Sequence, residues 1–325
     1  MEKIALFYLA KPKYGGWVTF TSHLLKSFQK LNIPVFLFKI GNKTESKQRH
    51  FNDDVNYQNV DIKTAINISK NFQTIIKAQN KNYLQITDEL LKNNANLIVH
   101  DPTEMKLELI ETIKKNNIKP ITIRKINCDN LNELGIDSNF IQHPYIRYNK
   151  TKHKKNDLAV ATSRLDFDKH TEIIVEANLK LSHKIKIYGA ENRLYTYFKL
   201  KKIDEHWDKN YFGKFSNHPG NIYNILNPHK YMIDMSAIKK DGGGSQYTFL
   251  EAWDSGCIVV LNKKWNINSD DTMKANINCL FVNDSEDLVN LLQKNEQYES
   301  IIQNGYKELQ YFEGKKVAEI YLKVM

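Results

Sequence analysis

The sequence predicts an α/β protein built from two Rossmann-like domains, each with a parallel sheet. Short β-rich apolar runs alternate with longer helical stretches along most of the chain. The alternation stops at a polar, charged stretch over Tyr148–Asn156 and then begins again. A length of 325 residues, with 41% hydrophobic and 26% charged residues, suits two folded domains of ordinary size.

The first half predicts strands and helices in alternation, with Leu24, Leu25 and Phe28 on one face of the first helix. The predicted strands are Lys3–Leu9, Pro34–Ile40, Ala95–His100, Pro120–Arg124 and Phe140–His143, and the predicted helices are Val18–Leu31 and Glu104–Lys115. The segment Thr44–Asn82 is polar, and no structure is predicted for it. Strands separated by helices of this length indicate right-handed parallel βαβ units.

The second half repeats the pattern and ends in consecutive helices. Its predicted strands are Leu158–Ser163, Ile185–Gly189, Tyr211–Phe215, Tyr231–Met235 and Cys257–Leu261, and its predicted helices are Lys169–Leu181, Ser245–Ser255 and those within Ser285–Met325. The expected domains are therefore residues 1–150 and 151–310, with 311–325 as a final helix. Facing domains would enclose a cleft at the carboxyl ends of their strands.

Composition narrows the setting of the protein. No apolar run approaches the roughly 20 residues of a membrane helix, and Met1–Ala10 resembles a first strand more than a signal peptide. Three widely spaced cysteines suit a reducing compartment, so a cytoplasmic location is expected, in a host cell if the gene is viral. The net charge of +10 fits either dispersed solvated lysines or a polyanionic partner.

A glycine-rich segment opens the helix predicted at Ser245. Glycines let the backbone approach a ligand closely, and the free N–H groups of a helix start favour an anion such as a diphosphate. Glu251 lies too far along the helix to cap it, and a carboxylate there could accept hydrogen bonds from ribose hydroxyls. The simpler alternative is a flexible loop before an ordinary helix. The candidate donor-binding residues here are Asp241, Gly242, Gly243, Gly244, Ser245, Gln246, Tyr247, Thr248 and Glu251.

The same segment resembles the donor site of retaining glycosyltransferases with the GT-B fold. The matching residues are Leu250, Glu251, Ala252, Ser255, Gly256, Cys257, Val259 and Val260. The resemblance implies two Rossmann-like domains facing across a cleft, with the C-terminal helix crossing back to the first. It also implies transfer of a hexose from a nucleotide-diphosphate sugar with retention. The earlier acidic residue of that pattern is replaced by Gly243, and Asp241 stands two residues away.

A second match lies in the loop after the first strand of the second domain. In these enzymes a serine-arginine pair and a lysine about five residues later hold the pyrophosphate, and Arg164 and Lys169 fit that spacing. A guanidinium can fork onto two phosphate oxygens, while an ammonium supplies a point charge. The alternative is two surface cations paired with Asp166 and Asp168.

The first domain offers weaker candidates. Gly15 and Gly16 form a glycine turn after the first strand, which would direct N–H groups toward the donor. The catalytic candidates are His100 and Asp101, at the end of a strand, and Asp129, after the next strand. His100 could act as a general base or orient the acceptor hydroxyl, and Asp129 is a competing candidate. A hydrogen-bonded loop histidine is the competing interpretation of His100. The acidic pairs Asp53–Asp54 and Asp270–Asp271 are interpreted as solvated turns, so metal-independent chemistry is expected.

Within the GT-B class, the stretch from Tyr247 to Val260 resembles the DNA α-glucosyltransferases of T-even phages. These enzymes move glucose from UDP-glucose to hydroxymethylcytosine in DNA. The resemblance implies UDP-glucose as donor, DNA as acceptor and a monomeric enzyme, and it would give the basic charge a role. Two alternatives remain: a transferase for a lipid-linked or cell-surface glycan, and a non-catalytic protein that binds sugar nucleotides or DNA.

Overall fold

The computed structural model describes residues 3–8, 16–40, 56–77, 84–100, 102–148, 155, 157–215, 219–237, 243–266, 272–294, 296 and 298–325. The chain divides into two compact units. Unit 1 comprises Met1–Ile146 and Tyr311–Met325, and unit 2 comprises Arg147–Gln310.

Unit 1 contains a parallel sheet with seven strands among the described residues. They are β1 (Ile4–Tyr8), β2 (Val35–Ile40), β3 (Gln58–Val60), β4 (Gln73–Lys77), β5 (Asn96–Val99), β6 (Ile121–Thr122) and β7 (Asn139–Phe140). Every residue of β1 is buried, as expected for a parallel strand covered on both faces. The strand order is β3-β2-β1-β4-β5-β6-β7, so it reverses between β1 and β4. In open α/β sheets, ligands bind beyond the carboxyl ends of the strands at such a switch point.

Helices connect these strands, and the last helix of the chain belongs to the same unit. They are α1 (Gly16–Gln29), α2 (Ile62–Ser69), α3 (Leu84–Leu91), α4 (Leu107–Lys115), α5 (Lys125–Glu133) and α13 (Gly314–Val324). The ring centroids of Phe28 in α1 and Tyr321 in α13 lie 6.3 Å apart. A Cβ on Gly314 would lie 2.3 Å from the Ser27 Oγ. The glycine therefore permits the close packing of α13 on α1.

Unit 2 has a parallel sheet with five strands among the described residues. They are β8 (Asp157–Ala161), β9 (Lys186–Ile187), β10 (His229–Asp234), β11 (Ile258–Asn262) and β12 (Cys279–Val282). Their order is β12-β11-β10-β8-β9, so the switch point lies between β8 and β10. Both units are thus doubly wound sheets with one reversal in strand order.

The helices of unit 2 pack around a core that contains buried side chains from most of its elements. They are α6 (Thr171–Lys180), α7 (Arg193–Tyr195), α8 (Lys201–Ile203), α9 (Pro219–Leu226), α10 (Tyr247–Asp254), α11 (Ser285–Gln293) and α12 (Glu299–Leu309), with a π-helical turn over Thr196–Leu200 between α7 and α8. Trp253 of α10 is fully buried and donates from Nε1 to the Asn278 carbonyl at 3.0 Å. A Cβ on Gly305 of α12 would lie 2.5 Å from the Trp253 ring. The glycine therefore allows α12 to pack closely against Trp253 of α10.

Most predicted elements are confirmed within a few residues, including the consecutive helices after Ser285. The predicted strand Tyr211–Phe215 is wrong, because Tyr211 forms only an isolated bridge and Gly213 turns the chain with φ of 79°. The sequence analysis misses β12. It also assigns no structure to the segment Thr44–Asn82, which holds β3, α2 and the central strand β4. In the described parts of the chain, no helix has the length and apolar character that crossing a membrane requires.

Candidate functional sites at the two switch points

The loop after β8 carries both predicted phosphate ligands and is held by the turn after β9. Leu165 is buried and donates from its backbone N to the Ala190 carbonyl at 2.8 Å. A Cβ on Gly189 would lie 1.9 Å from the Ser163 carbonyl oxygen, and Gly189 has φ of 152°. Only glycine allows this approach, so Gly189 sets the path of the loop.

Lys169 is buried at the switch point of unit 2, and its ammonium bonds across to the residue after β10. Its Nζ donates to Ser236 Oγ at 2.8 Å, and Ser236 Oγ in turn donates to Asp234 Oδ1. The Ser236 backbone N also donates to Asp234 Oδ1, at 2.9 Å. Asp234 is the buried last residue of β10, so a carboxylate reached through one hydroxyl balances the lysine charge.

Arg164 lies in the same loop, but its side chain is 55% exposed. The guanidinium pairs with Asp168 at 2.5 Å and lies 3.6 Å from an Asp166 carboxylate oxygen. Exposed ion pairs contribute about 0–1 kcal/mol, so these partners hold the guanidinium weakly. The structure thus gives Arg164 the ion pairs of the simpler interpretation and leaves it accessible to a stronger anion.

The glycine segment approaches α10 in a conformation that requires glycine. Gly243 and Gly244 have φ of 74° and 83°, and both are buried. The Gly244 carbonyl accepts from Trp265 Nε1 at 3.1 Å. The helix begins at Tyr247, with Gln246 as an N-cap whose side chain makes no capping hydrogen bond. The predicted start at Ser245 is therefore two residues early.

The remaining donor-site candidates, which lie on α10 or just before it, differ in exposure. Ser245, Tyr247 and Glu251 are buried, while Gln246 and Thr248 are half-buried. The Phe249 and Trp265 rings stack edge to face at 5.7 Å and hold the first turn of α10 in place.

The switch point of unit 1 also holds a buried lysine, but aromatic and imidazole rings surround it. Lys77, the last residue of β4, pairs in register with Tyr8, the last residue of β1. Its side chain is fully buried. The Nζ lies 2.7 Å from His100 Nδ1, 4.9 Å from the Phe20 ring centroid and 5.3 Å from the Trp17 ring centroid.

His100 follows β5 and is buried within this cluster. Its backbone N donates to Glu104 Oε2 at 2.6 Å, and its ring centroid lies 6.2 Å from that of His143. Burial lowers the pKa of His100 well below its ordinary value, and the charges of Lys77, His143 and Arg124 lower it further. The imidazole is therefore neutral near pH 7.

Two further histidines of unit 1 are buried in the same part of the fold. Burial lowers the pKa of His143 well below its ordinary value, and Arg124 and Lys77 add to the effect. Burial, with the charge of Lys26, lowers the pKa of His23 to about 3. His23 Nδ1 accepts a hydrogen bond from the Ile146 backbone N at 2.9 Å. The carboxyl edge of this sheet thus holds three uncharged imidazoles.

Asp129 lies in α5 and forms an ion pair on that helix. Its carboxylate accepts from Lys125 Nζ at 2.8 Å, one turn earlier, and its side chain is 46% exposed. This environment is that of an ordinary helix-surface carboxylate.

Of the remaining predicted residues, the structure describes Gly16 and leaves the others undescribed. Gly16 is the first residue of α1 and is exposed. Outside the described residues lie the predicted site residues Gly15, Asp101, Asp241 and Gly242, and the acidic pairs Asp53–Asp54 and Asp270–Asp271. Among the described residues, no group of three or more His, Cys, Asp or Glu side chains is placed to hold a metal ion.

Sequence reasoning misses two groups at these edges. Asp234 and Ser236 follow an apolar run, and such polar residues at a strand end are a usable signal. Lys77 follows the short run Thr74–Ile76, which is too brief for periodicity to identify as a strand.

The comparisons with known proteins concern the whole chain. No protein-family model and no curated protein matches it. Solved structures do match: a glycosyltransferase from Rickettsia africae is 15% identical with a TM-score of 0.74, covering 100% of this chain and 98% of that one. Anabaena Alr3699/HepE in complex with UDP and glucose is 12% identical with a TM-score of 0.71, covering 98% of each chain.

A third similar structure is an alpha-glucosyltransferase in complex with UDP and a 13-mer DNA that contains an HMU base. It is 13% identical with a TM-score of 0.72, covering 100% of both chains. At these identities the likeness establishes the fold. The chain has the GT-B fold, and the fold class and resemblance predicted from the sequence are confirmed at that level.

Proposed function

We propose that this protein is a glycosyltransferase that moves a hexose from a UDP-sugar to a hydroxyl acceptor, with UDP-glucose as the donor. The observation that carries the proposal is buried Lys169, tied through Ser236 to the strand across the unit 2 switch point. Doubly wound sheets bind ligands at this position, and an ammonium there suits an anion. Structures of the same fold in complex with UDP support the choice of nucleotide.

The diphosphate is proposed to bind Lys169 and Arg164. Lys169 supplies a fixed point charge, and the exposed Arg164 guanidinium exchanges its half-buried carboxylate partners for two phosphate oxygens. Both charges would stabilise the nucleoside diphosphate as the bond from the sugar C1 to the phosphate oxygen breaks. Since these residues supply positive charge at the leaving group, the proposed reaction needs no metal ion.

The segment from Gly243 to Thr248 is proposed to line the diphosphate and sugar, together with Gly15, Gly16, Asp241 and Gly242. The left-handed backbone at Gly243 and Gly244 lets the chain turn sharply before α10. Glu251, buried on α10, would accept hydrogen bonds from the ribose hydroxyls. Each assignment is tested by the affinity of the matching alanine variant for UDP.

Retention of configuration is proposed to follow from attack on the face that the diphosphate leaves. The acceptor oxygen bonds to C1 as the C1–phosphate oxygen bond breaks, and the hydroxyl proton passes to the departing diphosphate. This route does not require a protein base. Proton NMR of the first-formed product would show a β-linked sugar if the reaction inverted instead.

A hydroxymethylated base in DNA is the proposed acceptor. The net charge of +10 is compatible with a polyanionic partner, and the similar alpha-glucosyltransferase is in complex with DNA. Lysine contacts to phosphates make such binding steeply salt-dependent. The base would be flipped out of the duplex so that its hydroxymethyl group reaches the sugar C1.

The decisive experiment follows transfer of labelled sugar from UDP-glucose to DNA with and without hydroxymethylcytosine. Transfer to the modified DNA alone supports the full proposal. UDP release with other acceptors keeps the transferase and rejects the DNA acceptor. A thermal-shift screen with UDP-, GDP- and ADP-sugars tests the nucleotide, and binding without turnover would indicate a non-catalytic protein.

An acceptor on a lipid or cell surface is the second candidate, and one observation favours it. Tyr197 and Phe198 are exposed, their ring centroids lie 5.1 Å apart, and Lys202 Nζ lies 5.9 Å from the Phe198 centroid. Exposed aromatic residues beside lysines suit an anionic membrane surface. The patch lies in unit 2. Vesicle co-sedimentation that disappears in Y197S/F198S would support this candidate.

A further inference from the structure

We infer that Lys77 is a positioning residue that holds His100 as a neutral imidazole with its proton on Nε2, so that His100 serves as a hydrogen-bond donor and not as a general base. The role toward substrate rests on the proposed function, whereas the protonation state does not.

The first step is the contact between the two side chains. Lys77 Nζ lies 2.7 Å from His100 Nδ1, and both residues are buried. An ammonium has three donors and no acceptor. His100 Nδ1 must therefore offer its lone pair, and a neutral imidazole then carries its single proton on Nε2.

The second step concerns the charge of Lys77. Its Nζ lies within 4.9 Å of the Phe20 ring centroid and 5.3 Å of the Trp17 ring centroid. Aromatic faces attract cations, most strongly where water is excluded. The Glu104 carboxylate, which accepts from the His100 backbone N, adds negative charge nearby. These groups favour the ammonium form and oppose the effect of burial, which favours the neutral amine. An ammonium can only donate to His100.

The third step excludes the base. A general base must become an imidazolium during the reaction. Among the residues that the structure describes, the groups that face His100 are Lys77 on β4, Arg124 before α5, His143 after β7, the Glu104 carboxylate on the His100 backbone N, and the aromatic rings of α1. Lys77 and Arg124 disfavour a positive ring, in line with the lowered pKa of His100. A second proton would also break the bond from Lys77 to Nδ1.

The fourth step places the proton. A Cβ on Gly16, at the start of α1, would lie 3.8 Å from His100 Nε2. The Nε2 side of the ring therefore faces the start of α1, where the predicted glycine turn leads into the helix. A fixed N–H there can stabilise negative charge that develops on a substrate oxygen. This role fits a reaction whose proton leaves with the diphosphate.

The test of the protonation state is an NMR experiment on wild-type protein labelled with 15N-histidine. Two-bond and three-bond correlations identify which ring nitrogen carries the proton, and the spectrum of H100Q assigns the signals. We expect an unprotonated Nδ1 and a protonated Nε2 from about pH 5.5 to about pH 9, on either side of the ordinary histidine pKa. A proton on Nδ1, or titration of His100 near its ordinary pKa, would overturn the inference.

The test of the role compares two substitutions of His100. The amide nitrogen of His100→Gln can donate a hydrogen bond but cannot act as a base, whereas His100→Ala does neither. We expect kcat to fall by roughly 10²-fold in H100A and by no more than about 10-fold in H100Q, with little change in KM for the UDP-sugar. Equal losses in both variants would contradict a donor role.

Lys77→Met tests the positioning. This substitution removes the hydrogen-bond donor to Nδ1 and keeps an unbranched side chain. The NMR spectrum of His100 should then show both tautomers, and the pH profile of kcat should show one additional ionisation. If K77M does not fold, the wild-type spectrum still decides the question. Absence of transfer with any sugar nucleotide would remove the proposed function, yet leave the tautomer measurement valid. A titrating His100 in an active transferase would remove only the inference.

Discussion

At the switch point of unit 2, the Lys169 ammonium reaches a carboxylate through one serine hydroxyl, and exposed Arg164 lies in the same loop. At the switch point of unit 1, Lys77 is fully buried between aromatic rings and donates to a histidine. Both sheets reverse their strand order at these edges. The same topological position therefore holds a buried lysine in two different surroundings, a hydroxyl and a carboxylate in unit 2 and aromatic and imidazole rings in unit 1.

Acidification should show the largest difference between the two edges, because the buried histidines described above lie in unit 1. The pKa of His23 is about 3 in the folded chain, and those of His100 and His143 are also low, whereas unfolded histidine titrates near 6.5. Below about pH 6.5 these histidines bind protons in the unfolded chain but stay unprotonated in the folded chain. The free energy of unfolding therefore falls as the pH falls. At pH 5 His23 alone costs about 2 kcal/mol, because its folded-state pKa of about 3 lies below that pH. Urea titrations at pH 7.5 and pH 5.0 should show this loss, and His23→Gln should reduce it.

Equal stability at both pH values would show that the buried histidines of unit 1 take up protons without unfolding. That result would also weaken the description of this edge as an uncharged imidazole cluster. Because three histidines contribute, the loss in the wild-type chain should exceed the part removed by His23→Gln.

Removal of the Lys169 charge should have the next largest effect. We expect Lys169→Ala to lower kcat/KM for the UDP-sugar by roughly 10²–10³-fold, because a fixed charge at the leaving group is lost. Arg164→Ala should cost about 10-fold, since its guanidinium is over half exposed. Lys294→Ala, at an exposed lysine after α11, is the matched control. Wild-type turnover by K169A would move the anion site elsewhere.

The contact that holds the loop after β8 is tested by glycine substitution. Gly189→Ala would place a Cβ 1.9 Å from the Ser163 carbonyl oxygen, and we expect it to destabilise unit 2 by about 3 kcal/mol. Gly135→Ala in unit 1 is a matched control, because Gly135 also has a positive φ but no atom lies within 4 Å of its Cβ position. It should cost about 1 kcal/mol. Equal losses of unfolding free energy would show that backbone strain, not the contact with the loop, governs Gly189.

Asp129 should contribute least. Its side chain is 46% exposed and pairs with Lys125 one turn away. We expect Asp129→Asn to change kcat less than about twofold and the unfolding free energy by less than about 1 kcal/mol. A fall in kcat of roughly 10²-fold or more would instead make Asp129 a general base. Steady-state kinetics beside H100A would decide between the two residues.

The amount that sequence analysis recovered differs between the two edges. The local structure of the loop after β8 and of the glycine segment was predictable, because each depends on a strand end, a turn and a helix start within a few residues. For Arg164 the sequence left two interpretations open, a phosphate ligand or a surface cation paired with Asp166 and Asp168. The structure shows those ion pairs within the loop. The cluster around Lys77 depends on residues from four separated segments, and its strand β4 is too short to show periodicity.

The sequence by itself determined the α/β class and the restart of the strand–helix pattern after the polar stretch. Only the tertiary structure decided that β4 lies beside β1, and that Ser236 joins Lys169 to Asp234. It also decided that the Lys77 Nζ lies against His100 Nδ1. The physical reason is that periodicity and turn chemistry act over a few residues. The protonation of a buried imidazole, in contrast, is set by charges and burial contributed by distant parts of the chain.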